Sequence, residues 1–334
     1  MSPGRVRRMN RPLIRKYLSE SQLLCLSSAL VMFAFCWVRV WLVSLFPADR
    51  FRTILEQFRD FERFFPVPFE QLFTYPGRIA LTYDEFIVVM CVAVWSIGRG
   101  SDCVSGELGR GTMEMLLAQP VSRLKLLVTH AVVTAAGTAL LALASWLGIY
   151  AGIHTTRVEQ SVAQPMPQSV WPFPMLGSGM VNQLLEGQGP RVPMSDKVDA
   201  AVFWPAAASL FAFGFFLTGL SSLASSCDRY RWRTIGVVSA IYVIQLLVKI
   251  VGLASERHAW MQNYTFFSAY APERFVSVAV HAPQETWSLI QAGEQGHGFM
   301  LGPLGCDVLL IGMGLIAYLG AAVIFSRRDL PAPV

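Results

Sequence analysis

The chain has 334 residues, of which 54% are hydrophobic and 15% charged, with a mean hydropathy of +0.46 and a formal net charge of +5. Soluble domains carry charge on about a quarter of their residues, so this composition excludes a water-soluble globular protein and points to a bilayer. No basic groove interleaved with stacking aromatics is present, so a nucleic-acid partner is not indicated and the positive excess is a matter of membrane topology.

The N-terminal RVRRMNRPLIRK is followed by an apolar run of about 25 residues, longer than the roughly 7–15 residues of a cleaved signal peptide, and no A-x-A site closes it. The run is therefore expected to stay as a span. Just before it, RPLIRKYLSE sets Leu13, Ile14, Tyr17 and Leu18 on one helical face and Arg11, Arg15 and Lys16 on another. This pattern predicts an amphipathic helix within 1–21, lying in the inner headgroup region with its basic face on anionic membrane lipid; the alternative is that it merely extends the first span.

Crossing the hydrocarbon takes about 20 apolar residues. Six runs are assigned as spans: 22–46, 81–98, 126–152, 202–224, 234–254 and 301–325. The second, LTYDEFIVVMCVAVWSIG, is short and opens near two acids, yet without it the basic segments fall on inconsistent sides. After the first span, RFRTILEQFRDFERFF repeats apolar residues at helical spacing, which predicts a surface helix ended by Pro66, Pro68 and Pro76. The Pro- and Gln-rich loop 153–200 has no period and is expected to lack a fold of its own. In 255–300, NYTFFSAYAPERFVSVAV is interrupted by Pro272, Glu273 and Arg274, which suits two short segments packed at the outer leaflet.

The expected fold is thus an all-α polytopic membrane protein, with a tail and amphipathic helix at 1–21, six transmembrane helices over 22–325, and a short tail at 326–334. Lys and Arg are roughly three times as dense in 1–20, 98–125, 225–233 and 326–334 as in the loops 47–80, 153–200 and 255–300. By the positive-inside rule the former are cytoplasmic, both termini included, and the latter are extended external loops. All six cysteines lie in spans or cytoplasmic turns, so the external loops can form no disulfide framework.

Two basic residues, Arg39 and Lys249, fall inside spans near their external ends, where snorkelling accounts for them. A sharper alternative pairs Arg39 with Asp84 or Glu85 across neighbouring spans. Ala208, Ala212, Gly214 and Gly219 in the fourth span allow close helix packing. The five histidines are scattered, with no metal-ligand spacing, and no phosphate-binding loop occurs. No cofactor or metal is expected.

Between spans two and three lies GELGRGTMEMLLAQPVSRLK. Gly109 and Gly111 loosen the chain, Thr112 can cap a helix, Glu114 suits its first turn and Pro120 stops it, leaving Ser122 to cap the third span. Met113, Leu116 and Leu117 share a face. So short a helix needs surfaces to pack on, and Glu107 and Glu114 disfavour anionic lipid as the partner.

This stretch resembles the cytoplasmic coupling segment of type-2 ABC transporter permeases, which runs acid, a few residues, Gly-Thr, a Leu-rich turn, Pro and a basic residue. Glu107, Gly111, Thr112, Leu116, Leu117, Pro120 and Arg123 match, while Gly109 stands where a second acid is often found. The six-span layout is similar too. The resemblance implies a permease subunit in a bacterial cytoplasmic (inner) membrane, paired with a second permease subunit in a homodimer or heterodimer. A separate ABC ATPase subunit would dock on the coupling segment, with Met113, Leu116 and Leu117 as apolar contact and Glu107, Glu114 and Arg123 setting the register. The chain itself is then no enzyme. A membrane-embedded enzyme would need convergent polar groups in the spans, and His130 has no acid on its helix face. A secondary transporter would ordinarily show repeated halves, and 22–152 and 202–325 share no similarity.

Overall fold

A computed structural model describes residues 11–45, 69–159, 191–292 and 299–328. The helix expected at 51–65 and the middle of the loop 153–200 lie outside them. Among the described residues six helical stretches are long and apolar enough to cross a membrane: Arg11–Ser44, Tyr75–Gly109, Arg123–Thr155, Ala200–Cys227, Arg231–Ala254 and Pro303–Arg327.

The first of these differs from expectation. Arg11–Ser44 is one unbroken helix of 34 residues, so the amphipathic segment is the lower end of the first span and not a separate element. Its Leu13 and Tyr17 are buried against Leu116, Leu126 and Val133, and this protein contact replaces the lipid contact on that face.

The second stretch is composite. A short helix Tyr75–Ala80 begins where Thr74 accepts a hydrogen bond from Gly77 N. A tight turn over Leu81–Asp84 follows, and Glu85 is extended (φ −61°, ψ 139°). The main helix therefore starts at Phe86, not at 81, and runs to Ser101. It continues through a π-turn, Asp102–Gly106, into a last turn Glu107–Gly109.

The fourth span sits at the centre, packed on the second, third, fifth and sixth; 67% of its most apolar stretch is buried, against 11% for the fifth. Lipid offers apolar groups no water to escape, so spans associate through close packing and interhelical hydrogen bonds. Both occur here. A Cβ on Gly219 would lie 2.6 Å from the Gly314 carbonyl oxygen, which marks a backbone-to-backbone crossing of spans four and six. Trp95 Nε1 donates to Thr138 Oγ1 at 3.1 Å, and Ser96 Oγ to the Gly214 carbonyl at 3.0 Å.

The starts of spans one, three and five and the ends of two, four and six gather at one end of the bundle. It is rich in Lys and Arg and is called the basic end here. The opposite end carries short helical turns at Glu256–Tyr264 and Phe266–Ser268 and a helix Pro272–His281. The loop 153–200 is less featureless than its composition suggests, since Arg157–Glu159 pairs antiparallel with Arg191–Pro193. A second small ladder joins Ile290–Ala292 to Phe299–Leu301.

Candidate functional site at the basic end

The charged stretch after the second span folds as a short helix, Thr112–Leu117. Its N-cap is Gly111, at φ 70°, and not Thr112. That left-handed conformation favours glycine because a Cβ would crowd the backbone. The Thr112 hydroxyl instead donates to the Glu107 carboxylate. At the far end the helix is over by Ala118, before Pro120, and Ser122 caps the third span by accepting from Lys125 N.

The apolar face is used within the chain. Met113 joins Cys103, Val104, Leu127, Tyr318, Ala321 and Phe325, while Leu116 joins Leu13, Tyr17 and Leu126. Leu117 lies partly buried between the two groups. The outward residues are Glu114, Met115, Ala118, Gln119 and Pro120, and Met115 is 71% exposed.

Two buried acids hold this helix to the bundle. Glu107, 1% exposed, receives Lys16 Nζ of the first span at 2.6 Å and Arg110 Nη2 at 3.3 Å. Asp102, in the π-turn, meets Arg110 Nη1 at 2.7 Å, Arg99 Nη1 at 3.2 Å and, more loosely, Arg231 Nη1 of the fifth span at 3.6 Å. Burial alone would lower the Arg110 pKa, but its bond to Asp102 and the Asp102 and Glu107 charges outweigh that and leave it more basic than usual. Removing the basic partners of a buried carboxylate strands its charge, a cost that solvent screening reduces for the pairs to Arg110, whose side chain is 41% exposed.

Arg123 is tied down as well. Its Nη1 donates to the carbonyl oxygens of Phe325 at 3.1 Å and Arg328 at 2.6 Å, and Arg328 Nη1 donates to those of Ser226 and Asp228, each at 2.9 Å. Glu107 and Arg123 thus face inward, whereas Glu114 faces out.

Lys16, expected on the lipid-facing basic face, turns to Glu107 instead, and the residues missing from the sequence reading are Arg99, Asp102, Arg110 and Arg231. Charges at the tail of an apolar run were a signal, but the spacing concealed their union. In an α-helix, residues five apart lie about 140° apart around the axis. Asp102 and Glu107 nevertheless share Arg110, and the π-turn between them brings this about.

At the opposite end, Arg39 Nη2 meets Glu85 Oε1 at 2.9 Å. Asp84 does not share that pair and lies beside Glu273 instead. His130 is buried with the Tyr17 ring edge-on at 5.1 Å.

No curated protein matches the chain. The family described as ABC-2 family transporter protein, however, matches residues 20–330. That match takes in all but the start of the first helix, so the six-span bundle and the clamped helix on its basic end are those of an ABC-2 family member: the chain belongs to this family and is a multi-pass ABC transporter permease.

Proposed function

We propose that this permease moves a substrate across the bacterial cytoplasmic membrane using ATP hydrolysed by a separate subunit, and that this ATPase docks on residues 110–119. In this reading the basic end faces the cytoplasm together with both termini, and a second permease subunit completes the transporter. Arg11 and Arg15, exposed on the first helix, meet anionic headgroups there.

The observation that supports docking is the division of labour in Thr112–Leu117. Met113 and Leu116 are spent inside the chain, while Met115 stands out between them on a helix clamped to spans one, two, three and six. A large exposed apolar side chain on a rigid support suits an anchor for a pocket in a partner. Met115 therefore takes the contact role, with Glu114 at the rim. Glu107, Thr112, Met113, Leu116, Leu117 and Arg123 hold the helix from behind, and Gly111 and Pro120 bound it.

The test is recovery of the co-expressed ATPase subunit with the tagged permease from detergent-solubilised membranes. Truncating a buried anchor costs on the order of 2 kcal/mol, and an exposed rim charge less. Met115→Asp should then recover about tenfold less ATPase or worse, and Glu114→Ala nearly the parental amount. Parental recovery with Met115→Asp, in a variant inserted at normal abundance, rules out this segment as the docking element.

A further inference from the structure

The π-turn Asp102–Gly106 departs from the regular helix of the second span. The residue that supports it lies about 120 positions away on the fourth. Ser225 Oγ accepts from Val104 N at 3.1 Å and from Ser105 N at 2.9 Å, and donates to the Ser101 carbonyl at 2.9 Å. A hydroxyl has one proton and two lone pairs, so these three bonds use its whole capacity. Ser105 Oγ also donates to the Ser101 carbonyl, at 2.8 Å, and lies 3.2 Å from Thr234 Oγ1 of the fifth span. Ser105, Ser225 and Thr234 are all buried.

Such a support is needed because a π-turn widens the hydrogen-bond ladder by one residue, and buried backbone groups left without partners are costly. The extra residue also sets the direction in which the chain leaves the span. Glu107 begins the next turn, and its phase brings it onto Lys16 and Arg110. One residue more of plain α-helix would rotate it by about 100°, away from both.

We propose that Ser225 is a positioning residue: by sustaining the π-turn from the fourth span, it fixes the rotational phase of Glu107 and thereby the placement of the 110–119 segment. The turn makes the fourth span part of the mounting of that segment, so a shift of one is felt by the other. The phase follows from the geometry alone, whereas its consequence for energy coupling rests on the docking proposed above.

The chain carries its own reporter. Cys103 lies inside the turn and is buried, while Cys227, two residues after Ser225, is exposed. In inside-out membrane vesicles holding the full-length protein, a membrane-impermeant maleimide should modify Cys227 and spare Cys103. Ser225→Ala should raise Cys103 modification by about tenfold as local opening becomes easier, and Ser225→Thr, which keeps the hydroxyl, should not. Deleting Val104 in the Ser225→Ala background removes the extra residue, lets the span run as plain α-helix in the original phase, and should restore protection. A role in packing alone predicts the opposite, since the deletion would add damage.

Unchanged Cys103 protection in Ser225→Ala, or exposure that the Val104 deletion fails to reverse, overturns the proposal. If Ser225→Ala does not insert, hydrogen exchange on the parent decides: Val104 and Ser105 amides should be as protected as mid-span amides, and exchange as fast as at a frayed helix end overturns the pin. Should the thiol pattern follow expectation while ATPase recovery stays parental in every variant, the docking reading fails and the role of Ser225 in the turn stands.

Discussion

Glu273 is a buried acid at the end of the bundle opposite the clamped helix. It lies in the first turn of Pro272–His281, 6% exposed, with Oε2 lacking a hydrogen-bond partner among the described residues. Burial first, then the charge and hydrogen bond of neighbouring Asp84, push its pKa well above the ordinary value of 4.5, with Lys249 pulling the other way. The folded state thus holds a proton that the unfolded state releases. Stability from this group is fully present below about pH 4.5 and is lost as pH rises towards the folded pKa. Glu273→Gln keeps the shape without the titration. Its melting temperature in detergent should fall less than the parent's between pH 5 and 8, so that the two curves diverge with rising pH. Parallel curves would show that the folded state holds no extra proton at Glu273, and so that its pKa is not raised.

At the scale of elements, the crossing of spans four and six leaves little room to adjust. Gly219→Ala would set a Cβ against the Gly314 backbone, and overpacking of this kind costs about 1–3 kcal/mol. Gly312→Ala, with nothing within 4 Å of its Cβ, is the control. Thermal unfolding in detergent should separate them, and equal melting temperatures would mean that the crossing is not tight. The spans were legible in the sequence because about 20 apolar residues admit few alternatives. Their edges were not. The second helix begins at Phe86 because Leu81–Asp84 turn before it, and the first extends below the apolar run, where Leu13 and Tyr17 find Leu116, a partner about 100 residues away. The short helix was legible too, along with its stop and the Ser122 cap. Which face it shows was hidden, since Met113, Leu116 and the exposed Met115 differ in surroundings more than in chemistry. The π-turn was hidden entirely, because Ser225, on another span, supports it.

For the molecule as a whole, orientation in the bilayer governs everything proposed for the basic end, and Cys227 tests it directly. In intact cells a membrane-impermeant thiol reagent should leave Cys227 unmodified, and inside-out vesicles should expose it; labelling from outside would invert the molecule. Cys103, also in a segment predicted to be cytoplasmic, is buried and should react from neither side. A mechanical consequence belongs to this scale as well. The first helix is a single rod, and ion pairs fasten it to the second stretch at two points, Lys16 to Glu107 and Arg39 to Glu85. The two fastenings on the rod are about 35 Å apart at 1.5 Å per residue, roughly the thickness of the hydrocarbon core. Sliding one against the other by a single helical pitch would rupture both bolts together, so the pair behaves as a braced strut. In the transport reading proposed above, a path for cargo would then have to open by a hinge elsewhere, and the fifth span, with little of its surface engaged by its own chain, would be the member least held by its neighbours.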